Sequence, residues 1–276
     1  MLDARVTNTG EPEVPALKLA VLIDADNAQP SVIDALLAEV ARFGEATIRR
    51  IYGDFTAERS RNWKQILNKF SINPIQQFAY TTGKNATDSR LIIDAMDLLH
   101  KGNIGGFCLV SSDSDFTGLA SRIREEGLVV YGFGEHKTPE AFRNACHKFV
   151  FTENLRPLPN PEESESTGKK KKKAPKKDAA SPGKKPAESQ QANNKKNIPL
   201  ALLKEAVENT SDDTGWANLG PLGTYLIKRQ PDFDCRSFGF KKLTDLFMAL
   251  PEHFECKDRA SANSSIKKIY IRLKSV

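Results

Sequence analysis

At 276 residues with 39% hydrophobic content, the chain is long enough for two domains with buried cores, while 28% charge and 15 prolines leave room for non-globular sequence. No run approaches the roughly 18 apolar residues of a membrane span. Residues 1–15 lack the basic start and apolar middle of a signal peptide, and the four cysteines are too scattered for a zinc knuckle or a disulfide framework, so a reducing, cytoplasmic setting is expected.

Residues 1–16 read as a flexible N-terminus, and residues 17–155 as the first domain. LAVLI (19–23) is a short apolar run ending at Asp24, which suits a strand buried on both faces. Pro30 opens a helical pattern with Val32, Ile33, Leu36, Leu37 and Val40 on one stripe, and Gly44 sits where a helix-ending glycine is expected. A strand is predicted over 46–53, a helix over 61–70 and a third strand over 72–78. After the polar loop AYTTGKNA, Thr87 is expected to cap a helix that stops near Gly102. The strand GFCLVS (106–111), a helix over 116–126, a strand over 128–133, a short helix from Pro139 and the strand KFVF (148–151) follow. Such alternation predicts an α/β fold with a mainly parallel sheet flanked by helices.

Residues 156–197 change character. Lysine, proline, serine, alanine and glutamine dominate, so this stretch reads as a disordered linker. Of the net charge of +6, most lies here: residues 156–198 carry 12 Lys and Arg against 5 Asp and Glu, whereas residues 1–155 carry 17 against 20. Linker cations attract phosphate without reading sequence, or simply keep the segment soluble. A second domain spans 198–276, with helical patterns at ALLKEAVEN, Trp216–Arg229 and 240–250 and two strands around a polar turn. Three helices and a hairpin describe a small winged helix-turn-helix.

Four aspartates of the first domain fall at or just beyond the carboxyl ends of strands, where open parallel sheets bind ligands. Asp24 closes the first strand, Asp113 and Asp115 follow GFCLVSS, and Asp88 lies in the first turn of its helix. At 100° per residue Asp88 projects from the middle of the stripe formed by Leu91, Ile92, Ala95, Leu98 and Leu99; Asp97 lies opposite and Asp94 at the stripe's edge. Phosphodiester hydrolysis places negative charge on the attacking and leaving oxygens, which divalent ions held by carboxylates neutralise. With no cysteine or histidine beside them, the acids favour Mg²⁺ or Mn²⁺ over zinc. Asp26 and Asp34 read as ordinary loop and surface residues. A capping role would account for Asp115 taken alone, Asn27 either aligns a ligand or caps the first helix, and Lys84 is a candidate phosphate contact.

These segments resemble the NYN family, a branch of the PIN-like nucleases, over about Lys18–Leu155. LIDADN is similar to the family's opening strand, GKNATDSRLIIDAM to its Lys-Gly-x-Asp segment, and SSDSDFTGL to its Ser-Gly-Asp-x-Asp-Phe segment, with Ser112 in place of the glycine. The resemblance implies a PIN-like Rossmannoid fold, with Asp24, Asp88, Asp113 and Asp115 as catalytic metal ligands and Asn27 assisting. WANLGPLGTYLIKRQPDF and SFGFKKLTDLFMALPEHFEC resemble the LOTUS, or OST-HTH, domain, which implies binding of RNA, structured or guanine-rich. Lys228, Arg229, Lys241, Lys242, Lys267 and Lys268 are its candidate RNA contacts, while Phe238, Phe240, Leu243, Leu246 and Phe247 read as core.

The expected function is a metal-dependent endoribonuclease with an RNA-holding module and no nucleotide cofactor. A non-catalytic RNA-binding adaptor is one alternative. A haloacid-dehalogenase-type phosphohydrolase is another, suggested by Asp24-x-Asp26 and SSDSD, but Asn27 and Ala28 break its DxDGT pattern and no cap domain is visible.

Overall fold

The computed structural model describes residues 16–56, 62–78, 86–155, 198–261 and 264–274. They form two compact units, one built on a six-stranded sheet and one on a three-stranded sheet. The predicted N-terminus, the linker over 156–197 and Lys84 lie outside the described residues.

The larger sheet is parallel throughout, in the order β3-β2-β1-β4-β5-β6. Its strands are β1 (Lys18–Asp24), β2 (Glu45–Gly53), β3 (Asn73–Gln76), β4 (Gly106–Val110), β5 (Val129–Gly134) and β6 (Lys148–Phe151). The helices between them are α1 (Ile33–Val40), α2 (Trp63–Phe70), α3 (Ala86–Lys101), α4 (Thr117–Glu125) and α5 (Glu140–Ala145). Because side chains alternate along a strand, β1 serves two cores. Leu19, Val21 and Ile23 pack with Ile33 and Leu36 of α1 and Trp63 of α2. Ala20 and Leu22 pack with Leu91 and Ala95 of α3, Leu119 of α4 and Phe142 of α5. The same alternation divides β4, with Phe107 and Leu109 on the α3 side and Cys108 and Val110 on the other. Burying each large apolar side chain contributes about 1.5–3 kcal/mol, and all of Leu19–Ile23 is fully buried.

Two glycines behave differently from one another. Gly102 ends α3 in the left-handed region at φ 67°, as expected of a residue without Cβ. Gly44 does not adopt that conformation; a Cβ there would come within 2.2 Å of the Leu17 carbonyl oxygen, so glycine is required by close backbone approach. Thr87 is not a cap, since α3 already includes Ala86. α3 is also tied to β2 by an ion pair: Asp94 accepts hydrogen bonds from Arg50 at 2.6 Å and from the Tyr52 hydroxyl at 2.5 Å. Burial pushes the Asp94 carboxyl upward, but these two donors outweigh it and hold it below its ordinary value.

The C-terminal part of the chain contains α6 (Leu200–Thr210), β7 (Trp216–Asn218), α7 (Leu219–Arg229), α8 (Leu243–Met248), β8 (Phe254–Ser261) and β9 (Ser264–Leu273). β8 and β9 form the expected hairpin, and β7 pairs antiparallel with β9. The helical pattern read over Trp216–Arg229 therefore begins as a strand: Trp216 and Ala217 are buried, and Arg272 of β9 lies over the Trp216 ring. Leu246 and Phe247 are core as expected, with Phe247 edge-on to Phe254, whereas Phe238, Phe240 and Leu243 are half-buried.

Candidate active site at the acidic sheet edge

The order of strand connections reverses between β1 and β4, the sheet neighbours from which β2–β3 and β5–β6 depart to opposite sides. A crevice opens at the carboxyl ends of such strands. Asp24, the last residue of β1, continues the parity of Ala20 and Leu22 and so faces the α3 side. Ser111, directly after β4, continues Phe107 and Leu109 to the same side. The two meet, with the Ser111 hydroxyl donating to Asp24 Oδ2 at 2.8 Å.

Asp24 is 1% exposed and its carboxylate is fully engaged. Oδ2 also accepts from Asn27 Nδ2 at 2.7 Å, and Oδ1 accepts from the Asp26 backbone N–H at 3.0 Å. Burial raises its pKa, while the donors from Asn27, Ser111 and Asp26 pull it back. Asn27 thus does not cap a helix; the 3₁₀ turn over Pro30–Val32 starts from Gln29 without a side-chain cap.

Three of the four predicted acids converge. Carboxylate oxygens of Asp88, Asp113 and Asp115 lie within 4.8 Å of one another, contributed by the first turn of α3 and by the loop after β4. Asp88 and Asp113 are half-buried and Asp115 is exposed. The Asp88 carboxyl is pushed up to about 6, first by burial and then by the charges of Asp24, Asp113, Asp115 and Asp26. Capping explains Asp113 rather than Asp115, because Asp113 Oδ1 accepts the Asp115 N–H at 2.9 Å and so shapes the turn that carries its neighbour. Asp97 is solvent-exposed on the far face of α3, and Asp26 is an exposed loop residue.

Ser111 was not among the predicted site residues. It accepts the Asp113 N–H at 3.1 Å, so it connects the buried acid of β1 to the loop holding two of the clustered acids. The alternation Phe107, Leu109, Ser111 is the sequence signal that places it there. Beside it, Ser112 accepts the Glu135 backbone N–H at 2.9 Å. A niche of about 10 Å³ lies behind these residues, lined by Asn27, Gln29, Ser111, Gly134 and Glu135 among others. That is the space of a single water.

In the C-terminal part of the chain the candidate basic residues are spread over separate elements. Lys228 and Arg229 are exposed at the end of α7, and Lys241 and Lys242 are exposed just before α8, with Lys242 as its extended N-terminal flank. Lys268 borders an open groove of about 520 Å³ between the β7–α7 junction and β9, lined also by Asn218, Leu219, Pro221 and Ile269. Lys267 lies on β9, with its side chain outside those described.

Among the described residues no helix is long and apolar enough to cross a membrane. The family model of the NYN domain matches residues 18–154, and that of the OST-HTH/LOTUS domain matches residues 193–266. A solution NMR structure of an uncharacterized protein from Nitrosomonas europaea is 38% identical, covering 40% of this chain and 94% of that one, with a TM-score of 0.27. A crystal structure of a protein of unknown function from Vibrio parahaemolyticus is 18% identical, covering 51% of this chain and 96% of that one, with a TM-score of 0.44. No curated protein matches the chain.

Proposed function

We propose that this chain, an NYN domain followed by an OST-HTH/LOTUS domain, is a divalent-metal-dependent endoribonuclease whose C-terminal module holds the RNA. NYN domains belong to a nuclease superfamily and OST-HTH/LOTUS domains bind RNA. The observation that carries the metal-dependent reading is the convergence of Asp88, Asp113 and Asp115 at the β1/β4 crevice. Burial and then the neighbouring negative charges both raise Asp88, and a cation is the simplest compensation for like charges brought this close. The donor set is oxygen only, from two separate elements, which suits a hard ion such as Mg²⁺ or Mn²⁺.

When bound, such an ion would supply charge neutralisation and an activated water for phosphodiester hydrolysis. The chain's own residues prepare the place for it. Asp113 and Asp115 share one turn, Asp88 approaches from α3, and Asp24 stands behind as the fourth acid of the proposed set. Asn27 and Ser111 both donate to Asp24 Oδ2, so its negative charge has a defined position. Lys228, Arg229, Lys241, Lys242, Lys267 and Lys268 are the proposed RNA contacts of the C-terminal module, for RNA that is structured or guanine-rich, and a cytoplasmic setting goes with this reading.

The test is cleavage of labelled single-stranded and structured RNA with Mg²⁺, Mn²⁺ or EDTA, beside an Asp113→Asn variant. Metal-dependent internal cleavage that disappears in the variant is expected. No cleavage under any condition refutes the nuclease, and cleavage indifferent to Asp113→Asn refutes the site.

A further inference from the structure

The inner link between the β1 and β4 loops runs through Asn27, Asp24 and Ser111. A second, outer link runs in parallel through the β5 end. Ser112 accepts the Glu135 N–H at 2.9 Å, and the Glu135 carboxylate accepts from Gln29 Nε2 at 3.1 Å. Lys137 approaches the other Glu135 oxygen at 2.9 Å, which holds the carboxylate in one orientation. Ser112 is 7% exposed, so its hydroxyl is a protected anchor rather than a surface group. The Thr138 hydroxyl and N–H both bond the Glu135 carbonyl, at 2.6 and 2.9 Å, and fix the backbone that follows. The two links enclose the 10 Å³ niche, whose lining includes Asn27, Gln29, Ser111 and Glu135.

We propose that Glu135, anchored on Ser112, is a positioning residue of the acid site. It braces the β1 loop from outside, so that Asn27 keeps its hold on Asp24 while Ser111 sets Asp113. Residues 25–29 have no strand of their own; the Ala25 N–H bonds the Tyr52 carbonyl and the Ala28 N–H the Asp24 carbonyl, and the Gln29–Glu135 bond joins the far end of the loop to the end of β5. The inference rests on the reading of the acids as a metal site, and its test separates the two.

Wild type, Glu135→Ala, Glu135→Gln and Ser112→Ala are compared by three readouts on the full chain: hydrogen exchange of the 25–29 amides, Mn²⁺ affinity by paramagnetic resonance, and kcat and KM on RNA. Groups that act by orienting metal ligands typically change affinity or activity by 10- to 100-fold; about tenfold is expected here. Glu135→Ala should speed exchange over 25–29, weaken Mn²⁺ and lower kcat with KM unchanged. Glu135→Gln, which keeps an acceptor for Gln29, should restore most of each. Ser112→Ala should match Glu135→Ala, and the double variant should be no worse than either single one, since both break the same link. Unchanged exchange in Glu135→Ala overturns the brace whatever the metal does. Faster exchange with unchanged Mn²⁺ affinity and kcat also overturns it, reducing Glu135 to a loop contact. If wild type binds Mn²⁺ but cleaves no RNA, the nuclease reading fails, while a tenfold loss of Mn²⁺ affinity in Glu135→Ala still upholds the brace.

Discussion

Replacing Asp88 by asparagine should stabilise the metal-free protein. The Asp88 carboxyl is raised from 3.8 to about 6, which means the folded chain holds that proton more tightly than the unfolded chain does. For an acid with a raised pKa the sign is unfavourable at neutral pH: the penalty is absent below about pH 4, grows through the window up to about 6, and is complete above it. A shift of roughly two units corresponds to about 3 kcal/mol. Asp88 is only half-buried, so solvent screening reduces this to about 1–2 kcal/mol. Removing the charge should raise the melting temperature by about 3–8 °C. The assay is thermal unfolding in EDTA at pH 7.5 and pH 5. Asp88→Asn should melt above wild type at pH 7.5, and the gap should narrow at pH 5, where wild-type Asp88 is mostly protonated. Adding Mn²⁺ should reverse the order, because saturating an ion at 100 times its dissociation constant stabilises the fold by about 2.7 kcal/mol and the variant has lost one of the proposed ligands. If Asp88→Asn melts at or below wild type in EDTA at pH 7.5, the clustered carboxylates are not under the repulsion inferred for them.

Ser111→Ala removes the donor to Asp24 and the acceptor of the Asp113 N–H. A stability loss of about 1–3 kcal/mol is expected from the unpaired groups, with metal-supported cleavage down by about 10- to 100-fold; denaturation midpoints and kcat measure the two. Asp94→Ala strands the Arg50 guanidinium and the Tyr52 hydroxyl and should cost about 2–4 kcal/mol. Since the Asp94 carboxyl lies below its ordinary value, its contribution is present above about pH 4 and fades as acid protonates it. The difference between wild type and Asp94→Ala, followed by denaturant titration, should therefore shrink below pH 4 and remain constant between pH 6 and 8.

Much of the first unit could be read from residue order alone. LAVLI alternates nothing, and its uniform apolar character is what a strand with a core on each face requires. The phase of α3 separated Asp88 from Asp97 correctly, because a sixteen-residue helix pins its own face through five apolar side chains. Ser111, by contrast, looks like any loop serine until β4 is placed beside β1. The swap of capping roles between Asp113 and Asp115 has the same origin, since it depends on backbone angles rather than on residue type. In the second unit Trp216–Asn218 carries a helical-looking pattern, and only pairing with β9, more than fifty residues later, makes it a strand. Gly44 was expected to end a helix, yet its constraint comes from Leu17, which precedes that helix entirely.

The bond between Ser111 and Asp24 spans 87 residues of chain. A ribosome-bound chain that has released β1, β2 and β3 holds Asp24 with no hydroxyl to meet it and no loop for Asp113. Closing so long a loop costs entropy that only the pairing of β4 against β1 repays. The acidic pocket therefore comes into being in the same event that completes the middle of the sheet. Partially folded chains lack it until synthesis has passed the fourth strand.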